Sequence, residues 1–280
     1  FPIGCPSGDG STTGLFNVAL VGASGSGNKP EVNRLYNLPY LRRIYMQALL
    51  QIADGLMQDE NWLPIVDARY RALQANGVII SDYRTAVQSG PNVTIPDFMR
   101  QRRANIYSTV ASATNVAFAV TSPTTVTSSS NLITITGNAP LGVKTIKING
   151  VEYPMTWTTV NAWSVQLPLD PGTTAFSIQP YDRAGNVYPS SEPTVMATYS
   201  GAPDEATNSI IFTEIMFAPA VPGAEYVELY NRSTTTTFDL AGWRVNGLDY
   251  TFPPGSFLRP RTRLLLVRDT LACLSAYGGT

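Results

Sequence analysis

The chain has 280 residues, 44% of them apolar and 14% charged, which is enough apolar material for packed cores and too little charge for a disordered polyelectrolyte. A net charge of −1 gives no global attraction to nucleic acid. With no histidine at all, a Ser-His-Asp or Cys-His site built from this chain is excluded, and so is a His-ligated metal.

The two cysteines, Cys5 and Cys273, are too few for a Cys-rich zinc site and leave both one disulfide and two thiols open. No run of 18 apolar residues exists, so no membrane span is expected. The chain opens on Phe1-Pro2-Ile3-Gly4-Cys5 and stops at Ala276-Tyr277-Gly278-Gly279-Thr280. These ends read as a piece of a longer polypeptide.

Residues 1–30 read as a Gly/Ser-rich loop segment. Val18 to Lys29 looks like a strand feeding a phosphate loop, with Gly22 and Gly27 at matching spacing. Lys29 comes one residue late and Pro30 follows where a magnesium-binding hydroxyl is needed, so a Gly/Ser loop is the simpler reading.

Residues 31–118 read as helical. Pro39 suits a first turn, and Leu41, Ile44, Tyr45, Ala48, Ile52 and Leu56 recur at helical spacing up to Asp54-Gly55. A second pattern runs through Leu63, Val66, Ala68, Tyr70 and Leu73 to Asn76-Gly77. A third starts at Thr94 as N-cap, with Pro96 and Asp97 in its first turn. It buries Phe98, Met99, Ile106 and Val110 and carries Arg100, Arg102 and Arg103 on its surface. If a partner lobe is missing, the Leu41/Ile44/Tyr45 stripe is expected to face a sandwich or another chain.

Residues 119–131 read as a Ser/Thr linker. Beyond it the period changes from 3.6 to 2. Ile133, Ile135, Ile146, Ile148, Val165, Leu167, Phe176 and Ile178 alternate with polar residues, and Asn149-Gly150 marks a hairpin. Residues 132–200 therefore predict an immunoglobulin-like β-sandwich. Gly201 to Glu205 breaks the chain again. Strands are expected at Ile210 to Met216, Glu225 to Tyr230, Trp243 to Val245 and Leu264 to Val267, with a hairpin at Asn246-Gly247. Residues 205–280 form a second small β domain. The fold class is thus multidomain and mainly β: an N-terminal α-helical segment followed by two immunoglobulin-like β-sandwich domains.

Several side-chain groups admit chemistry. Asp54, Asp59, Glu60 and Asp67 cluster around Trp62, and paired carboxylates suit acid–base work or a hard cation. Solvated helix ends are the simpler reading. Asp182 to Asn186 offers oxygens for calcium, but more simply forms a tight turn. Arg42-Arg43 and Arg100 to Arg103 lack interleaved aromatic residues, which favours surface helix faces over nucleic acid. Asn92-Val93-Thr94 and Asn231-Arg232-Ser233 are glycosylation sequons. Tyr226, Glu228 and Tyr230 share one strand face, while Glu225, Val227 and Leu229 share the other. Glu214, Glu225, Tyr226, Glu228, Tyr230 and Trp243 are the candidate binding residues.

Phe212-Thr213-Glu214-Ile215-Met216, Glu225 to Asn231, Phe238 to Trp243 and Tyr250 to Gly255 come in an order that resembles the lamin tail domain of large bacterial extracellular proteins. The resemblance implies a compact immunoglobulin-like sandwich with an interaction role and no catalytic residue. Residues 11–118 resemble the C-terminal part of a CotH-type (spore-coat protein H-like) kinase through Val32 to Asn37, Leu41 to Tyr45, Ala53-Asp54-Gly55 and Phe98 to Arg103. In that family the ATP and metal groups lie in an earlier lobe, so no catalytic position transfers. Trp163 to Leu169 and Asp182 to Asn186 are similar to the bacterial immunoglobulin-like modules of such proteins.

These readings imply a non-catalytic adhesion or interaction portion of a secreted or surface-attached bacterial protein. Its expected partner is a protein or a cell-surface or polymer ligand, with no nucleic acid and no cofactor. ATP and a divalent metal enter only if an upstream kinase lobe is present, which is the alternative reading. Such a lobe needs a phosphate-binding lysine, and only Lys29, Lys144 and Lys147 exist. A histidine-independent hydrolase using the Asp54/Asp59/Glu60/Asp67 cluster is a weaker alternative.

Overall fold

The computed structural model describes residues 34–35, 37–78, 82–85, 94–190 and 192–278. The loop segment 1–30, with its phosphate-loop-like glycines, Lys29 and Cys5, lies outside the described residues, as does Asn92 of the first sequon. Contacts divide the chain into two units. One holds Phe1–Ala117 with Asn138–Gly142 and Trp157–Trp163. The other holds Phe118–Gly137, Val143–Thr156 and Ser164–Thr280.

Among the described residues the first unit holds the helices α1 (Pro39–Asp54), α2 (Asp59–Ala75) and α3 (Ile95–Thr114). Pro39 occupies the first position of α1, where its missing N–H costs no helical bond. Thr94 caps α3 by accepting from the Asp97 backbone N–H. Helix α2 stops at Asn76, and Gly77 follows with φ 73°.

Within this chain α1 buries a face other than the Leu41/Ile44/Tyr45 stripe. Ile44 and Tyr45 are exposed, whereas Arg43, Met46, Gln47 and Ala53 are buried. The face turned inward within this chain carries polar work instead. Arg43 Nη1 donates to the Ala139 and Val160 carbonyls at 3.2 and 2.7 Å, and Nη2 to Pro140 at 2.7 Å. Its guanidinium lies 3.9 Å from the Trp157 ring centroid. Gln47 Nε2 donates to the Leu141 carbonyl at 2.9 Å. Met46, Val110, Ala113 and Leu141 pack beside these bonds. Burial pushes the Arg43 pKa down to about 10, still well above neutrality. A second cluster, Trp62, Tyr70 and Tyr83, closes the other end of the helical part, with Tyr70 and Tyr83 edge to face.

The β part begins with β1 (Ala119–Val120), β2 (Thr125–Ser128), β3 (Leu132–Asn138), β4 (Thr145–Ile148) and β5 (Val151–Glu152). It continues with β6 (Thr156–Trp157), β7 (Ala162–Pro168), β8 (Gly172–Tyr181) and β9 (Thr194–Tyr199). Sheets of order β1-β3-β7-β6 and β2-β9-β8-β4-β5 result. All eight residues of the predicted period-2 pattern are buried, together with Val195 and Ala197. Asn149 and Gly150, at φ 49° and 82°, turn β4 into β5. The Ser/Thr stretch expected as a linker is itself sheet. Thr125 to Ser128 pair in parallel with Met196 to Tyr199, so β2 closes an edge of the second sheet. Its alternating exposure leaves one row of hydroxyls in solvent, which is why it reads as polar.

The C-terminal part contains α4 (Ala206–Ser209), β10 (Ile210–Met216), β11 (Tyr226–Asn231), β12 (Phe238–Asp239), β13 (Arg244–Val245), β14 (Tyr250–Thr251), β15 (Phe257–Leu258), β16 (Arg263–Val267) and α5 (Thr270–Tyr277). Strands β10, β11 and β16 form one antiparallel sheet with β11 at its centre, and β12–β15 and β13–β14 form two short pairs. Leu229, Phe238, Leu240, Phe252 and Leu258 make the core between them.

Asn231 is fully buried at the end of β11. Its Nδ2 donates to the Thr236 and Leu258 carbonyls at 2.8 and 2.9 Å, and its Oδ1 accepts from the Ser233 N–H at 2.9 Å. The second sequon is therefore a structural amide in the folded chain, with no free Nδ2 to carry a glycan. Replacing Asn231 by alanine leaves two carbonyls and one N–H buried without partners. Asn231→Ala is expected to cost ~3 kcal/mol of stability, read as a lowered denaturation midpoint. A midpoint equal to wild type overturns this role.

Candidate functional site

The central strand β11 places side chains on both sheet faces. Tyr226, Glu228 and Tyr230 face outward, while Val227, Leu229 and Asn231 are buried on the inner side. Across the sheet, Glu214 stands opposite Glu228 and Ile215 opposite Val227, and Val227 pairs in turn with Leu266. The register shifts between Phe212 and Glu214, so a bulge at Thr213 resets which β10 residues face the core.

The outer face is a polar network. Thr213 Oγ1 donates to Glu228 Oε1 at 2.5 Å, and Arg263 Nε donates to the same oxygen at 3.0 Å. The Arg263 guanidinium also lies 4.9 Å from the Tyr230 ring centroid. Tyr226 packs edge to face on Tyr277, with centroids 5.4 Å apart. A hydrogen bond to Glu214 pushes the Tyr226 pKa up to about 12. Glu228 is thus held by its own chain and serves the sheet more than a ligand.

The sheet is open at the end where Met216, Tyr226 and Val267 pair, and residues of both faces reach the opening. Ile215 is 62% exposed and Phe217 84% exposed, although Val227 beside them is buried. Together with Leu248, Tyr250 and Leu266 they line a groove of ≈ 850 Å³. Glu225 and Arg268 sit at this groove, paired at 3.0 Å. Of the six predicted binding residues, Glu225 and Tyr226 line the groove. Glu214, Glu228 and Tyr230 belong to the rest of the sheet. Trp243, 44% exposed, precedes β13 and is not part of the lining. Sequence reasoning missed Ile215, Phe217, Leu248 and Tyr250. The signal was present in Ile210-Ile211-Phe212 and Ile215-Met216-Phe217, where apolar residues fill both faces instead of alternating.

The acidic group of the helical part does not converge. Asp54 accepts from the Tyr107 hydroxyl at 2.8 Å. Asp59 pairs with Arg100 at 2.8 Å and Arg103 at 3.4 Å. Asp67 pairs with Arg71 at 2.8 Å and accepts from the Tyr83 hydroxyl at 3.0 Å. The Arg100 hydrogen bond holds Asp59 below its ordinary pKa, the opposite of what a general acid needs. Among the described residues no group of three or more acidic or thiol side chains is arranged to hold a metal ion. Asp182 to Asn186 forms a closed turn: the Asn186 N–H donates to Asp182 Oδ1 at 2.8 Å, and Gly185 has φ 84°. Lys144 and Lys147 lie at and beside β4, with the Lys147 ammonium 4.8 Å from the Tyr181 ring centroid. No helix among the described residues is long and apolar enough to cross a membrane.

Residues 203–276 match the family model of the Lamin Tail Domain. The match covers β10 to β16 and the groove, so the C-terminal part of the chain is an immunoglobulin-like lamin tail domain. It does not reach α1 to α3, where the kinase resemblance rests on its four motifs alone. No curated protein matches the chain. Two solved structures show distant likeness. One is the GspB Siglec domain, 13% identical, with a TM-score of 0.25, covering 36% of this chain and 65% of that one. The other is Bacteroides ovatus SGBP-B, from a mixed-linkage glucan utilization locus and bound to a mixed-linkage heptasaccharide. It is 12% identical with a TM-score of 0.19, covering 56% of this chain and 47% of that one. The chain spans less than two thirds of each, and at such scores neither likeness decides a ligand.

The Glu214–Tyr226 bond makes a measurable claim. Below about pH 10 it contributes its full stability, and the contribution is lost as the pH rises toward 12. Glu214→Gln is expected to bring one tyrosine titration down toward 10, read by ultraviolet absorbance against wild type. An unchanged titration curve removes the bond.

Proposed function

We propose that this chain is a non-catalytic interaction portion of a secreted or surface-attached bacterial protein. Its lamin tail domain holds a protein or polymer partner at the open end of the β10-β11-β16 sheet. The observation that carries the reading is the solvent-facing row of Ile215 and Phe217 over a groove of ≈ 850 Å³. Exposed contiguous apolar surface is costly in water and marks places where something else docks. The Glu225–Arg268 pair at the groove supplies a polar element that fixes orientation.

The kinase alternative places ATP and a divalent ion in an upstream lobe. Nothing in the described residues favours it over the interaction reading.

A double variant tests the proposal. Ile215→Asp with Phe217→Asp puts charge on the groove and leaves the buried core residues Leu229, Leu240 and Leu258 in place. Retention of the chain on a bacterial cell-envelope preparation is expected to fall about tenfold, the ratio that 1.4 kcal/mol of lost binding gives. Equal retention of the variant, with an unchanged melting curve, overturns the assignment. Labelled ATP with magnesium or manganese is expected to be neither bound nor turned over, and nucleotide binding favours the kinase reading instead.

A further inference from the structure

A second groove, of ≈ 360 Å³, lies within the β unit, away from the apolar one. Its floor is the outward face of the β3-β7-β6 portion of the first sheet, and its wall is the segment from Gly255 to Phe257. Thr134 on β3, Thr156 on β6, and Ser164 and Gln166 on β7 all point at it. The alternation that buries Ile133, Ile135, Val165 and Leu167 on one side sets these polar groups on the other.

Three features define what this groove can take. First, the hydroxyls of Thr134, Thr156 and Ser164 make no side-chain hydrogen bond within the described residues, so their donors and acceptors are available. Gln166 is oriented: its Oε1 accepts from Arg259 Nη2, which leaves its Nε2 amide to donate into the groove. Second, no ionisable side chain lines the groove. The Arg259 guanidinium beside the groove spends Nη2 on Gln166 Oε1, so the lining itself offers an ionic ligand no counter-charge to offset its lost hydration. Third, Phe257 and Pro154 supply apolar walls beside the hydroxyls. Neutral hydrogen-bonding groups beside an aromatic ring match a sugar, which carries hydroxyls at its edge and C–H groups on its face.

The wall is fixed by contact. Gly255 has φ 80°, and a Cβ there would lie 2.5 Å from Pro154 Cδ. Asn131 ties the same two parts together: its Nδ2 donates to the Thr237 carbonyl at 2.6 Å and its Oδ1 accepts from the Thr237 N–H at 3.0 Å. The groove is therefore preformed, which spares a ligand the entropy of ordering it.

We infer that the groove lined by Thr134, Thr156, Ser164, Gln166 and Phe257 is a binding site for a neutral polysaccharide segment. It is separate from the lamin-tail groove and stands or falls independently of it.

Titration calorimetry on the full chain tests this. The probes are cellohexaose, xylohexaose, mannohexaose and chitohexaose at millimolar concentration. Hexagalacturonate serves as an acidic glycan and hexaproline as an extended peptide. At least one neutral hexasaccharide is expected to bind saturably. Thr134→Val combined with Ser164→Ala is expected to weaken it about tenfold, since two hydrogen bonds are lost at nearly constant volume. Gln166→Leu, a separate variant, is expected to act in the same direction. Ile215→Asp with Phe217→Asp leaves this binding unchanged. The inference is overturned if no neutral hexasaccharide binds, if only hexagalacturonate or hexaproline binds, or if the Thr134/Ser164 variant binds as tightly as wild type.

Discussion

The lamin-tail part of this chain depends on one side chain, the amide of Asn231. Its two donors and one acceptor join β11 to the Ser233–Thr236 turn and to β15. Backbone bonds from Asn231 to Thr262 and from Arg261 to Asn231 extend the same junction toward β16. A fully buried amide is tolerated only when its partners are all present, because each unmet group in a dry interior costs on the order of 1–3 kcal/mol. That requirement fixes where β11 ends. The end point fixes the parity of every residue before it, and so decides that Tyr226 and Glu228 face out while Val227 and Leu229 face in. The candidate surfaces on this sheet are consequences of that register.

Arg43 plays a comparable part in the helical unit, by different physics. A guanidinium offers five donors in a plane, so one side chain satisfies three carbonyls of the 138–142 and 157–163 segments while its face rests on Trp157. The Pro140 and Val160 carbonyls carry partial negative charge and need a donor at this position, while the Ala139 carbonyl also accepts from Asn161 Nδ2 at 2.8 Å. The same arrangement explains why Ile44 and Tyr45 sit toward solvent. A helix can present only one face inward, and here that face is chosen by the groups that must hydrogen-bond.

Much of the fold was legible because a sheet writes its pattern at period 2. Ile133 through Ile178 alternated in the sequence, and each apolar member is buried. Helix ends were legible where a cap residue makes its own bond, as Thr94 does with the Asp97 N–H. The Asn149-Gly150 turn was legible because few residue pairs accept two positive φ angles. What failed to show were features that depend on partners distant in sequence. Strand β2 is recognised only by its parallel neighbour β9, and its own Thr125 to Ser128 look like a linker. Asn231 read as a sequon because its carbonyl partners lie 5 and 27 residues away. The bulge at Thr213 has no short-range signature, yet it determines which apolar residues of β10 reach the groove.

Arginines pair with several of the acidic residues singled out as candidates. Asp59, Asp67, Glu225 and Glu228 each carry an arginine within 3.0 Å, and Asp97 has Arg100 at 3.7 Å. The Arg100 hydrogen bond holds Asp59 below its ordinary pKa, and Glu228 Oε1 accepts from both Thr213 and Arg263. General-acid work requires the reverse, a carboxyl kept protonated by burial away from cations. The two proposed recognition surfaces are apolar at Ile215 and Phe217, and neutral and hydrogen-bonding at Thr134, Ser164 and Gln166. These two surfaces differ in kind. The first gains from removing apolar area from water, so salt leaves it largely unchanged. The second gains from hydroxyl and amide geometry, so its strength depends on the Gly255–Pro154 contact that keeps the wall in place.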